Sequence, residues 1–276
     1  MSITAPQGFR AAGVTAGLKA SGNPDLALVV NDGPSKSAAA VFTSNRVAAA
    51  PVHWSREVVK DGRVDAVILN SGGANACTGP QGFQNTHTTA EKTAEALGVS
   101  ATDVVVCSTG LIGEQLPMDK ILAGIGSATA ALAADGGPAA ATAIMTTDSV
   151  SKQAVFTGTA ADGTRFTIGG MAKGAGMLAP GLATMLVVLT TDADVPPDML
   201  DAELRNATRV TFDRADSDGC MSTNDTVVLL ASGASGAVPS AADFGTGLTQ
   251  VCAELARKLI GDAEGASHDI AIRTFN

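Results

Sequence analysis

Ala183-Thr184 stands between a glycine-rich loop and an apolar run, and that placement allows a distinctive chemistry. The segment reads GGMAKGAGMLAPGLATMLVVLTTDA from Gly169 to Ala193. Met185 to Leu189 is a short continuous apolar run that suits a buried strand. Upstream, Gly174, Gly176, Pro180 and Gly181 let the backbone turn sharply. A threonine opening such a strand behind a small residue could attack its own preceding carbonyl. The peptide bond would pass to the Thr184 hydroxyl as an ester and then hydrolyse. That leaves a nucleophile and a free α-amine on one residue, the amine serving as base. The reference pKa of such an amine, about 7.7–8.0, suits that role near neutrality. On local pattern alone most threonines at strand starts are structural, since β-branched residues favour strands, and self-cleavage is the rare outcome.

Four other segments carry candidate polar chemistry. In VVVCSTGLIG, Val104 to Gly113, an apolar strand runs into Ser108-Thr109-Gly110. A hydroxyl and a glycine amide there could serve an oxyanion, or form a strand-to-helix turn. AIMTTDS, Ala143 to Ser149, ends an apolar helix with hydroxyls that suit a cap or turn. NSGGANACTG, Asn70 to Gly79, places two asparagines among glycines, either ordering a site loop or making turns. DSDGCMSTNDT, Asp216 to Thr226, resembles part of a calcium loop but lacks the glutamate at its twelfth position, which argues against calcium. His53, His87 and His268 have no metal-ligand spacing, and His87 reads as solvated on a polar helical stretch. A GxSxG elbow, a phosphate-binding P-loop and a GxGxxG fingerprint are all missing. Hydroxyl nucleophiles, lysine and carboxylates remain, with no metal or cofactor implied.

The elements that must hold these residues follow from hydrophobic patterning. Strand-like runs are Leu26–Val30, Ala39–Phe42, Ala66–Leu69, Val104–Cys107, Ala154–Gly158, Arg165–Gly169, Met185–Thr190, Thr226–Ala231 and Ile270–Thr274. Helix-like runs are Phe83–Leu97, Met118–Ala134, Ala139–Met145, Pro197–Thr211 and Ala241–Ala263. Pro196-Pro197 reads as a helix start and Gly98 as a helix stop. The order does not alternate regularly, which predicts α+β layers rather than a doubly wound parallel sheet.

Composition narrows the class. The chain has 276 residues, 45% of them apolar, 3% aromatic with no tyrosine, and only 16% charged. Ala, Val and Gly must therefore do most of the packing. The formal net charge of −9, without a Lys/Arg cluster, argues against nucleic acid as a partner. MSITAPQGFRAAG lacks the apolar core of a signal peptide, and no stretch approaches the ~20 apolar residues of a membrane span. Cys77, Cys107, Cys220 and Cys252 form no CxxC and read as free buried thiols. The expectation is a soluble cytoplasmic protein with no membrane partner.

Taken together, the segments resemble the ornithine acetyltransferase family, also called ArgJ or glutamate N-acetyltransferase. The matching blocks, in order, are GFRAAGV at Gly8–Val14, NSGGANACTG, CSTGLIG with LPMDK at Leu116–Lys120, AIMTTD, GGMAKGAGMLAP, ATMLVVLTTDA, STNDT and DAEG at Asp262–Gly265. They span nearly the whole chain. The resemblance implies an α/β/β/α sandwich with a self-processing N-terminal nucleophile. It implies acetyl transfer from N-acetylornithine to glutamate in arginine synthesis, with acetyl-CoA a further donor in some members. Thr184 would be the nucleophile, with cleavage after Ala183. An alpha chain 1–183 and a beta chain 184–276 would result, assembled as two of each. Thr109 and Gly110 would be the oxyanion pair, and Thr146, Lys173 and Glu264 substrate contacts. A lysine can pair with the α-carboxylate of such substrates and a glutamate with the ammonium.

Gly73 stands where family members often carry Asn, and Gly181-Leu182 where they carry Asn-Met. The family's second chain extends further than ASHDIAIRTFN, which reads as C-terminal truncation with two residues that close on substrate missing. Two other readings accompany the transferase: a self-processing N-terminal-threonine amidohydrolase or aminopeptidase, and an inactive ligand-binding fragment.

Overall fold

The computed structural model describes residues 2–178 and 185–272. In chain order the elements are β1 (Phe9–Val14), β2 (Leu26–Asn31), β3 (Ser37–Phe42), α1 (Ala50–Val58), β4 (Ala66–Gly73), α2 (Gly79–Leu97), β5 (Val104–Leu111), α3 (Met118–Ala130), α4 (Gly137–Ala143), β6 (Lys152–Thr159), β7 (Arg165–Lys173), β8 (Leu186–Thr191), α5 (Pro197–Val210), β9 (Thr226–Ala231) and α6 (Ala241–Gly261). One sheet has the order β1-β2-β4-β5 and the other β3-β9-β8-β7-β6. Pairing is antiparallel except for β4 with β5 and β8 with β9.

Strand alternation builds the layers. Ala27 and Val29 of β2 face the core between the sheets, together with Val67, Leu69, Leu186, Val188, Val228 and Leu230. Leu26, Leu28 and Val30 face outward against Ala90 and Ala94 of α2 and Ile121 and Ile125 of α3. Val187, Leu189, Val227 and Leu229 face the other way, against α5 and α6. A two-residue period with both faces covered gives the expected α/β/β/α sandwich. Small residues let the layers close. A Cβ on Gly170 would lie 2.8 Å from Leu255 of α6, and one on Gly169 would lie 2.6 Å from the Ser2 carbonyl.

Helix ends follow their sequence signals. Ser240 accepts the Asp243 amide at the start of α6, and Gly98 takes the left-handed conformation at the end of α2.

Several expectations need correction. Helix α1 and strand β1 have no counterpart in the hydrophobic patterning; α1 is short and carries Pro51, and the middle of β1 (FRAAGV) is small residues. Helix α3 stops at Ala130, because Ala133 leaves it to bridge Ala11. Ile270 and Ile272 form no strand and are 76% and 88% exposed, and Arg273 and Thr274 lie outside the described residues. Alternation over so few residues, without a partner strand, does not make a strand. Cys107 and Cys252 are buried but Cys77 and Cys220 are exposed. His87 is half-buried rather than solvated, its ring edge-on to Trp54 and Phe83.

Candidate active site

The expected oxyanion residues lie where β4 and β5 end side by side. Ser71 pairs with Thr109 and Gly72 with Gly110, and the register breaks at Gly73. Gly110 has φ +132°, and a Cβ there would lie 2.5 Å from the Gly72 carbonyl carbon and the Gly73 nitrogen. Only glycine meets both demands. The irregular end is held by Asn70, which donates to the Gly73 carbonyl at 3.0 Å and accepts from the Ser108 hydroxyl at 2.6 Å. Thr109 is buried, and Lys173 Nζ, at the end of β7, donates to its Oγ1 at 3.3 Å. A hydroxyl that accepts from an ammonium keeps its own proton to donate. The Thr109 hydroxyl is thereby left able to donate to an acceptor placed beside it, as an oxyanion role requires.

Asp148 organises the next layer. Its Oδ2 accepts the Thr146 amide at 2.9 Å and lies 4.0 Å from Lys173 Nζ. Its Oδ1 accepts the Gly174 amide at 2.7 Å and Lys152 Nζ at 2.6 Å. Burial by itself would raise the Asp148 carboxyl; the Lys173 charge, the Lys152 bond and the two amides outweigh it and hold the carboxyl below its ordinary value. Burial lowers the Lys173 ammonium, and Asp148 offsets this only in part. Lys152 is wholly buried and also donates to Asp262 Oδ2 at 2.5 Å. Asp262 accepts the Ser149 amide at 3.0 Å as well. Two residues on, the exposed Glu264 donates its amide to the Ala175 carbonyl at 2.6 Å. Its carboxylate lies beside Gly176, 3.2 Å from where a Cβ would stand.

Ala183 and Thr184 lie outside the described residues. The residues flanking that stretch are both anchored to the segment before β9. The Leu178 carbonyl accepts the Ser217 amide at 2.7 Å, and the Met185 amide donates to Asp225 Oδ1 at 3.0 Å. Asp225 is fully buried. Burial pushes its carboxyl well above the usual range, against the pull of the Met185 amide, the Ser222 and Thr43 hydroxyls and the Lys173 charge. Asn224 Nδ2 donates to the Ala74 carbonyl at 2.7 Å and the Ser108 carbonyl at 2.9 Å, joining the segment to the other sheet.

The structure therefore gathers Thr109, Lys173 and Thr146 around Asp148 and ties Glu264 to them through Asp262 and Lys152. Sequence reasoning missed Asp148, Lys152, Asp225 and Asn224 as organisers. Asp148, Asn224 and Asp225 fall inside the AIMTTD and STNDT blocks, so a signal existed. Lys152 had none, since one lysine opening a strand does not announce its burial. Asp218 of the rejected calcium segment accepts the Met177 amide at 2.7 Å, so it braces the glycine-rich loop. A groove of about 490 Å³ lies elsewhere, over the β3 edge between α1 and α5, and shares no residue with this cluster.

Comparison with known proteins gives the family of the chain. The ArgJ family profile matches residues 10–276. The arginine biosynthesis bifunctional protein ArgJ of Streptomyces coelicolor is 64% identical over 276 residues, covering 100% of this chain and 71% of the relative. Its Thermobifida fusca counterpart is 64% identical over 272 residues, covering 99% and 70%. Among solved structures, the Mycobacterium tuberculosis ornithine acetyltransferase complexed with ornithine aligns with a TM-score of 0.62 at 56% identity, covering 67% of this chain and 96% of that one. A Burkholderia beta-aminopeptidase shares the fold, with a TM-score of 0.56 at 16% identity over 95% of this chain. By profile, sequence identity and structure, this chain belongs to the ArgJ family.

Proposed function

We propose that this chain is an acetyltransferase of arginine biosynthesis that moves acetyl from N-acetylornithine to glutamate through an acetyl-ester on Thr184. The observation that carries this reading is the Lys173–Thr109 contact beside Asp148, in a member of the ArgJ family. The Thr184 hydroxyl attacks the acetyl carbonyl while the Thr184 α-amine takes its proton. Thr109 Oγ and the Gly110 amide receive the oxyanion. The tetrahedral species collapses, ornithine leaves with that proton, and the glutamate amine attacks the ester to release N-acetylglutamate. Lys173 pairs with the α-carboxylate, Glu264 with the ammonium, and Thr146 adds a contact. Water must be excluded while the ester exists. Acetyl-CoA is a second candidate donor to the same ester.

Cleavage after Ala183 generates the nucleophile and divides the chain into 1–183 and 184–276, two of each forming the assembly in the cytoplasm. The size of the solved ornithine acetyltransferase chain supports this division: 67% of the present chain accounts for 96% of it, close to the share that precedes Thr184. No helix among the described residues is long and apolar enough to cross a membrane.

The test is steady-state transfer with N-acetylornithine and glutamate, together with intact mass. Parallel double-reciprocal lines are expected for a covalent intermediate. Thr184→Ala should stay one chain and transfer nothing. Thr109→Ala should lower kcat by about 10²–10³-fold on oxyanion-hole precedent. Intersecting lines, or an uncut and active parent, would overturn the covalent reading.

A further inference from the structure

Lys152 is the unexpected residue of this site. It opens β6, is 0% exposed, and holds two carboxylates from distant parts of the chain. Asp148 belongs to the loop after α4. Asp262 lies just past the end of α6. Asp148 is also 4.0 Å from Lys173, and Lys173 bonds Thr109. A continuous polar chain thus runs Asp262, Lys152, Asp148, Lys173, Thr109 through the protein. Its two carboxylates and two ammonium groups balance in charge, which is what allows them to be buried together.

A buried ion pair of this kind adds little net stability compared with apolar packing, because desolvation cancels most of the attraction. Its geometry, however, is specific. Without Lys152 the Asp262–Gly265 turn would lose its buried anchor and keep bonds nearer the surface, among them those from Ser149 to Asp262 and from the Glu264 amide to Ala175. The same lysine also fixes the Asp148 oxygen that receives the Gly174 amide, and Gly174 follows Lys173 directly. One side chain therefore joins the end of β7 that carries Lys173 to the turn that carries Glu264, beside the direct bond from Glu264 to Ala175.

We propose that Lys152 is a positioning residue for acetyl transfer, acting through Asp148 and Asp262 to keep Lys173 and Glu264 in register for the two ends of an amino-acid substrate. The proposal rests on the substrate roles given to Lys173 and Glu264 above. It adds a device that neither residue supplies alone. Lys152 touches no reacting atom. Its loss should act mainly on binding and on the order of the Asp262–Gly265 turn.

The experiment uses Lys152→Met, and Asp262→Asn as the milder change at the partly accessible end of the pair. The first readout is amide hydrogen exchange in the full chain. Exchange at the Glu264 and Ala266 amides should quicken at least tenfold in both variants, while β8 and β9 keep parent protection. The second is the kinetic split: KM for N-acetylornithine and glutamate should rise about tenfold, roughly 1.4 kcal/mol, with kcat changed much less. The third is a cycle with Glu264→Gln. A positioning role predicts that Asp262→Asn and Glu264→Gln together cost clearly less than the product of their separate effects. Unchanged exchange at Glu264 with Lys152→Met overturns the proposal whatever the activity, and so do additive effects in the cycle. A parent chain that transfers no acetyl overturns the functional reading instead, and the exchange measurement still decides whether Lys152 orders the turn.

Discussion

Lys173 and Asp148 have to be treated as one electrostatic unit. The lysine is buried, and burial lowers its pKa below the ordinary lysine value, opposed by Asp148. Its ammonium is therefore a cost to folding while both folded and unfolded chains are protonated. That cost is relieved as pH rises through the lowered folded value, so this group makes stability increase with pH up to the ordinary lysine range of about 10.4. Asp148 works in the opposite window. Its carboxyl is held below the usual value, so its contribution is present above the ordinary carboxylate range and is lost as pH falls through the folded value. In the role proposed for Lys173, only its cationic form can pair with a substrate carboxylate. KM for N-acetylornithine should climb on the alkaline side at a pH below that of an ordinary lysine. Asp148→Asn should move that climb to lower pH, because the main raising influence on Lys173 is gone. A profile of KM against pH for the two proteins checks this, and an identical alkaline limb would remove Asp148 from the account.

At the level of elements, the outer edge of β5 shows how the fold protects the strand that carries Thr109 and Gly110. β5 ends its sheet, and an unpaired edge is a liability. Helix α1 covers it with side chains that stand in for a strand. Ser55 Oγ donates to the Val106 carbonyl at 2.8 Å and accepts the Val106 amide at 3.0 Å, and Trp54 Nε1 donates to the Val104 carbonyl at 3.0 Å. Ser55 is fully buried, so Ser55→Ala strands two backbone groups away from water. A loss of about 1–3 kcal/mol is expected for an unsatisfied buried polar group, measurable as a lower denaturant midpoint with an unchanged slope. A shift within error would mean that water or a neighbour replaces the hydroxyl.

The same helix marks the limit of what the sequence discloses. Strands such as Thr226–Ala231 are legible because six consecutive apolar or β-branched residues are buried on both faces. Helix α1 is nine residues with a proline near its start, and its role is fixed by a distant strand that no local pattern mentions. The site divides in the same way. Thr109, Gly110 and Lys173 are legible because they sit in distinctive blocks at strand ends. Lys152 and Asp262 meet only through folding, so their pairing has no local signature. Ile270–Ile272 gives the converse: a local alternation that forms no strand.

For the molecule as a whole, the decisive fact is how a cut after Ala183 would divide the sheets. The piece 1–183 contains β1 to β7, and the piece 184–276 contains β8 and β9. The second sheet runs β3-β9-β8-β7-β6, so both strands of the shorter piece lie between strands of the longer one. β9 pairs along its whole length with β3, and β8 pairs with β7 from Leu186 to Thr191. Every residue of β8 and β9 is buried. Separating the pieces means opening two ladders and exposing the cores on both faces of that sheet, which is equivalent to unfolding. Cleaved protein should therefore run as one particle under native conditions, at the size of the uncut Thr184→Ala chain, and resolve into two masses only in denaturant. Because the link is no longer covalent, the unfolding midpoint of the cleaved form should rise with protein concentration, whereas a single-chain protomer lacks this source of concentration dependence. Size-exclusion chromatography with mass detection and concentration-dependent melts check both statements. Fragments that part without denaturant would mean that the inner position of β8 and β9 does not hold the two pieces together, and the division at Thr184 would have to be reconsidered with it.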